Sequence, residues 1–151
     1  MKNQAARTRT FGIWLLVAVA ICLLVFSIAR KPSQIFVIKD GWIRAPVASS
    51  SMTAGYCVFT NRGEQDITVV SARSPSIGKI EFHESRYEDE MHRMVQLPSL
   101  VIPAKGTLRL EPGGKHLMLF NLMDKEASVN SIEFTLSTGE LIEYAFVVED
   151  P

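Results

Sequence analysis

Thiols are scarce in this chain of 151 residues, which has two cysteines, Cys22 and Cys57. Cys22 lies within an apolar run, so residues after 31 contain one thiol and no disulfide within that domain is available. Cys57 sits among apolar neighbours, where a small core hydrophobe is expected, and a blue-copper electron-transfer centre would have to recruit it as a thiolate. Helical periodicity is also missing after residue 34, as are internal repeats and low-complexity tracts. No nucleophile-base pair and no cofactor fingerprint is present, which argues against an enzyme. Basic residues are few outside the N-terminus. Residues 32–151 hold sixteen acidic against eleven basic residues, a net charge of −5. That balance argues against a nucleic-acid partner and is compatible with attracting a cation.

The longest apolar stretch is Phe11–Ala29, nineteen residues without a charge. As a helix it would measure roughly 28 Å, the thickness of a bilayer's hydrocarbon core. A cleaved signal peptide would have a shorter apolar region, although Ser27-Ile28-Ala29 is a passable exit. The length, and Arg30-Lys31 directly after it, fit an uncleaved anchor better. Cys22 lacks the preceding small residues of a lipoprotein cleavage site. Lys2, Arg7 and Arg9 before the run outnumber Arg30 and Lys31 after it, favouring a cytoplasmic N-terminus. The expected organisation is a cytoplasmic tip and membrane anchor at 1–31 and an exported domain at 32–151. The protein would then be single-pass in the inner (plasma) membrane, with its domain on the extracytoplasmic side.

Beyond the tether Pro32-Ser33-Gln34, short alternating runs are broken by turn residues at intervals of about 8 to 12. Ile132, Phe134 and Leu136 alternate with Glu133, Thr135 and Ser137; Ile142, Tyr144, Phe146 and Val148 form a second inward row. Further strands are expected at 35–39, 54–61, 66–72, 79–84, 91–96, 107–110 and 116–122. Pro75, Pro98, Pro103 and Pro112 fall between or at the edges of these runs, where a missing donor does least harm. The pattern predicts an all-β domain, an antiparallel sandwich or barrel.

Chemistry concentrates between His83 and Met118. His83 is followed after ten residues by Met94, and after twenty-one more by His116-Leu117-Met118. Thioether sulfur is soft and neutral, imidazole binds copper well, and a two-nitrogen, two-sulfur set suits Cu(I) better than zinc, magnesium or calcium. Residues i and i+2 of a strand share a face, so His116 and Met118 can grip one ion together. His83, at the end of its strand before a polar turn 84–90, would meet them at one end of the sandwich, with Met94 returning from the hairpin. Taken singly, each Met also fits core filling and each His a surface or hydrogen-bonded role, and the residues alone leave both readings open. His92, with Met94, makes a second His-x-Met pair and is read as an exposed hairpin residue or an alternate ligand. Met52, Met91 and Met123 have no supporting pattern, and Trp42 reads as packing in the core or near the rim.

The spacing His-x10-Met-x21-His-x-Met resembles that of the bacterial periplasmic copper chaperones called PCu(A)C. The surroundings are similar too: Trp42-Ile43-Arg44-Ala45-Pro46, Ala54-Gly55-Tyr56 with Thr60-Asn61, Pro103 to Gly106, and Pro112-Gly113-Gly114 leading into His116-Leu117-Met118. The likeness runs from about Val37 to Val148. It implies a cupredoxin-like antiparallel β-sandwich with His83, Met94, His116 and Met118 as Cu(I) ligands; one ion per chain is expected because the second-site tail of some relatives is missing from this sequence. It also implies delivery to a copper-accepting protein, either subunit II of cytochrome c oxidase or a Sco-type assembly factor. Two departures stand out. Glu84 occupies a position where relatives often carry Met, and the chain ends at Glu149-Asp150-Pro151 without a His- and Met-rich tail.

Neutral donors hold Cu(I) less firmly than thiolates, so the expected mechanism is stepwise ligand exchange with a Cys-bearing acceptor and no net redox change. An anchor through residues 11–29 would raise the effective concentration of donor and acceptor on one membrane. Imidazole must be deprotonated to bind, so affinity should fall as pH drops below about 6.5. The other functions in view are periplasmic copper buffering or resistance and a β-sandwich interaction module that binds no metal.

Overall fold

The computed structural model describes residues 35–150 except 48, 89 and 90. The expected tip and anchor, 1–31 with its apolar run 11–29, and the tether 32–34 lie outside the described residues. Among the described residues no helix is long and apolar enough to cross a membrane.

The expectation of an all-β domain holds. Ten strands follow one another: β1 (Phe36–Arg44), β2 (Met52–Asn61), β3 (Ile67–Arg73), β4 (Ile77–Glu88), β5 (Met91–Leu97), β6 (Leu100–Ile102), β7 (Thr107–Leu110), β8 (Lys115–Leu122), β9 (Val129–Leu136) and β10 (Leu141–Glu149). They form one hydrogen-bonded path, β5-β4-β8-β2-β1-β10-β9-β3-β6, with β7 attached to β2. The expected antiparallel sandwich is therefore corrected on two points. First, β2 pairs with β8 through Met52–Gly55 and with β7 through Cys57–Thr60, so the strands make one continuous sheet. Second, β1 and β10 run parallel, Trp42 opposite Val147 and Arg44 opposite Glu149.

The inward faces share one core. Phe59, Phe134 and Phe146 are fully buried, with ring centroids 5.2 Å apart for the first pair and 6.1 Å for the second. Each such side chain contributes about 1.5–3 kcal/mol of burial free energy. Ile132 and Leu136 are buried beside Phe134, and Ile142, Tyr144 and Val148 pack partly buried against the same core. Asn61 is the polar exception at 1% exposure. Its side-chain NH2 donates to the carbonyls of Gln65 (2.7 Å) and Ile102 (3.1 Å), and its oxygen accepts from the Gly63 amide (2.9 Å). That satisfies a turn that would otherwise bury bare polar groups.

Two local devices shape the face that carries the histidines. In β1 one extra residue between Lys39 and Trp42, with Asp40 at φ 52°, makes a bulge. It moves the buried set from Phe36 and Ile38 to Gly41 and Ile43, leaving Trp42 and Arg44 on the outer face. Between β7 and β8, the Gly114 amide donates to the Glu111 carbonyl at 3.0 Å, with Pro112 and Gly113 as the central residues. Gly113 has φ 79°, the left-handed value that the third residue of a type II turn requires. The Pro-Gly-Gly sequence thus sets the register with which β8 begins.

Candidate metal centre

β4 and β8 are antiparallel, and their register puts His83 directly opposite His116, with Phe82 opposite Leu117. Phe82 and Leu117 are buried in the core, so by alternation both imidazoles project from the other face. Their ring centroids are 6.0 Å apart. His83 is thus in mid-strand, since β4 continues to Glu88. The expected turn at 84–90 is corrected over its described part: Glu84 to Glu88 continue β4 and pair with β5, with Arg86, Tyr87 and Glu88 exposed and no apolar alternation, while 89 and 90 lie outside the described residues. The predicted ligands accordingly lie on the outer face of neighbouring strands rather than at an end of a sandwich.

Each imidazole has one nitrogen engaged. His116 Nδ1 lies 3.0 Å from the Gly114 carbonyl, which can only accept, so that nitrogen carries the proton and Nε2 keeps its lone pair. The same carbonyl accepts from the Ser85 amide at 3.0 Å, which ties the turn to β4. His83 Nε2 lies 2.8 Å from Glu81 Oε2, and donation to this carboxylate leaves the lone pair on Nδ1. That Nδ1 is buried and has no hydrogen-bond partner. A carboxylate or carbonyl behind each ring is the arrangement that orients metal-binding histidines. Lys79 Nζ is 2.6 Å from Glu81 Oε1. Its hydrogen bond, followed by that of His83, holds the Glu81 carboxyl below the ordinary carboxylate range.

Beside the rings lies a pocket of about 300 Å³. His116, Met94, Met118, Met52, Tyr56 and Ser85 contribute to its walls. His116 is only 5% exposed, whereas Met52 and Met94 are 45% and 56% exposed at the mouth. Of the four predicted ligands, three line this pocket, and His83 abuts it through His116. Met94 stands opposite Ser85, while Gln96 is opposite His83, so Met94 reaches the site diagonally. Trp42 is an outer-face residue. Its ring is 4.4 Å from Tyr56, whose own ring is 6.5 Å from His116.

Several other candidates fall away from the site. The His92 ring lies tilted against Tyr87, centroids 5.0 Å apart, and does not line the pocket; Met91 and Met123 are exposed elsewhere. Glu84 pairs with Lys115, so it lies on the face opposite the imidazoles. Its carboxylate is 2.6 Å from both Lys115 Nζ and Arg86, and these contacts lower its pKa, Lys115 most. Cys57 is 1% exposed, and burial pushes its thiol pKa up, which keeps it protonated and a poor ligand. Among the described residues no group of three or more His, Cys, Asp or Glu side chains is placed to hold a metal ion. Sequence reasoning missed Glu81, Tyr56 and Met52. The i−2 position of Glu81 relative to His83 was the available signal for the first.

The profile of the LpqE-like family, described as "Putative lipoprotein LpqE-like", matches residues 36–148. The chain is 33% identical over 116 residues to "Putative lipoprotein Lxx21020" of Leifsonia xyli subsp. xyli, covering 75% of this chain and 69% of that protein. The solution structure of CuI-DR1885 from Deinococcus radiodurans superposes with a TM-score of 0.63 at 27% identity, over 81% of this chain and 83% of the other. The copper-bound PCuAC domain from PmoF2 gives a TM-score of 0.67 over 80% and 97% of the two chains; at 15% identity this shows the shared fold alone.

Proposed function

The chain belongs to the LpqE-like family, and on that premise we propose that it is an extracytoplasmic Cu(I) chaperone, a carrier and not an enzyme. The likeness to a structure solved with CuI supports the cargo. His83, Met94, His116 and Met118 are its proposed ligands, one ion per chain. The observation that carries the reading is the pair of opposed imidazoles, each with one nitrogen fixed by an acceptor and one lone pair free, next to Met118 and Met94. An unpartnered buried nitrogen such as His83 Nδ1 is costly to leave unmade, and a soft monovalent ion would use it.

The donors are uncharged and the ion keeps its oxidation state throughout. Met94 is the most exposed of the four, so it is the ligand an incoming thiolate displaces first. His116 and His83 let go last. An acceptor bearing two cysteines releases two protons as its thiolates take the ion, and the imidazoles return to their hydrogen-bonded neutral state. The acceptor is, on the resemblance, cytochrome c oxidase subunit II or a Sco-type factor. Membrane attachment through residues 11–29 would keep donor and acceptor on one surface.

Anaerobic Cu(I) titration of the full chain in detergent tests the site. One equivalent should bind, and His116→Ala and Met118→Ala should each weaken binding by about tenfold or more. Wild-type protein that takes up no Cu(I), or variants that bind as tightly as wild type, would overturn the reading. Oxidase activity in a deletion strain, scored against copper tolerance, separates delivery from buffering.

A further inference from the structure

Met52 has the chemistry of a copper ligand and no part in the four-residue set. It opens β2 opposite Phe120, while Ala54, two residues on, stands opposite Met118. Met52 is therefore the diagonal neighbour of Met118 on the outer face, within reach of a long side chain. Between them on β2, Ala54 carries only a methyl and lines the same pocket. Met52 lines the same pocket as His116, Met94 and Met118, yet stays 45% exposed instead of packing into the core.

Its backbone is fixed by hydrogen bonds while its side chain is half exposed. The Met52 amide donates to Ser50 Oγ at 3.1 Å, and the Ser50 hydroxyl donates to the Met52 carbonyl at 2.7 Å. On either side, the Ser51 carbonyl accepts from the Asn121 amide at 2.7 Å, and the Thr53 hydroxyl donates to the Arg44 carbonyl at 2.6 Å. A thioether on three rotatable bonds, carried by a pinned backbone at a pocket mouth, can swing between solvent and the bound ion.

We propose that Met52 is a third thioether of this pocket, an exchange ligand that binds Cu(I) as it enters or leaves and gives it up to the resident set. This rests on the Cu(I) chaperone reading. In transfer, the Met52 sulfur donates a lone pair to the ion as one resident bond loosens, so the coordination number does not collapse while the acceptor arrives. No electron or proton moves in that step. A neutral thioether used only in passing changes the rate more than the equilibrium.

The test compares the full chain in detergent as wild type, Met52→Leu and Met118→Leu, with circular dichroism to check folding. Cu(I) affinity is measured by anaerobic competition with a colorimetric Cu(I) chelator, and the transfer rate to excess chelator by stopped flow. Met52→Leu should bind one Cu(I) with affinity within about threefold of wild type and transfer it about tenfold more slowly; Met118→Leu should lose affinity. A transfer rate equal to wild type overturns the role of Met52, and so does an affinity loss as large as that of Met118→Leu, which would make Met52 a resident ligand. Wild type that binds no Cu(I) brings down this inference and the chaperone reading together. Binding by wild type with unaltered Met52→Leu kinetics brings down this inference alone.

Discussion

Replacing Glu81 by Gln probes how the fold presents an imidazole to a metal. In the wild type the carboxylate accepts from His83 Nε2 at 2.8 Å and from Lys79 at 2.6 Å, and it can do nothing but accept. Gln has the same shape but an NH2 group in place of one oxygen. If that group faces His83, Nε2 becomes the acceptor and the ring proton moves to Nδ1, the buried nitrogen that has no other partner. The lone pair needed for coordination then points the wrong way. Loss of such an outer partner lowers metal affinity by about 10- to 100-fold, or about 1.4–2.8 kcal/mol. Competition titration with a Cu(I) chelator reads the affinity. Ring-nitrogen NMR of the metal-free protein reads the tautomer, with the proton expected on Nε2 of His83 and on Nδ1 of His116 in the wild type. Lys79→Met is the control, because it removes the ion pair and spares the His83 contact; its affinity should stay within about threefold of wild type. A folded Glu81→Gln variant with wild-type affinity would refute the role of the carboxylate.

Acid should weaken binding through the imidazoles. Where both rings are protonated in the free protein, log Kd should rise by nearly two per unit fall in pH, and a plot with slope near one would leave room for a single His ligand. The Glu81 and Glu84 carboxyls are held below their ordinary value of 4.5, so the stability they contribute is present above that pH and is lost as pH falls through their lowered values. Thermal unfolding of the metal-free protein between pH 3 and 7 should accordingly show their share of the loss only below about 4.5. Cys57→Ala should leave Cu(I) affinity unchanged, and native Cys57 should resist alkylation until the protein unfolds; fast labelling would contradict its burial at 1% exposure. Asn61→Ala removes three hydrogen bonds from a buried turn and should destabilise by about 3 kcal/mol in urea unfolding, with a value under about 1 kcal/mol counting against that account.

What could be read from the sequence was whatever one strand dictates by itself. The alternation of Ile132, Phe134 and Leu136 set which side of β9 is buried, and the i, i+2 spacing of His116 and Met118 set their common face. What could not be read depends on partners distant in the chain. The parallel union of β1 with β10 joins the two ends of the domain and leaves no local mark. β6, three residues between Pro98 and Pro103, escaped notice because its flanks read as loop. The full length of β4 leaves no apolar alternation after His83, because those residues answer to β5 and to water, not to the core. The pocket residues beyond the four were hidden for the same reason: Met52 meets Met118 only through the β2–β8 register.

The parallel strand pair also says where a probe can be attached. β10 ends at Glu149, opposite Arg44, and its carbonyl accepts from the Ala45 amide at 2.8 Å, next to the segment whose Arg44, Ala45 and Val47 wall the pocket. Phe36 begins β1 eight residues away, about 26 Å along an extended strand. A fluorophore or affinity handle fused after Glu149 would crowd the opening of the pocket proposed to hold Cu(I). A handle placed ahead of Phe36 would leave that opening clear, which makes the amino-terminal side the one for immobilising this domain on a sensor surface.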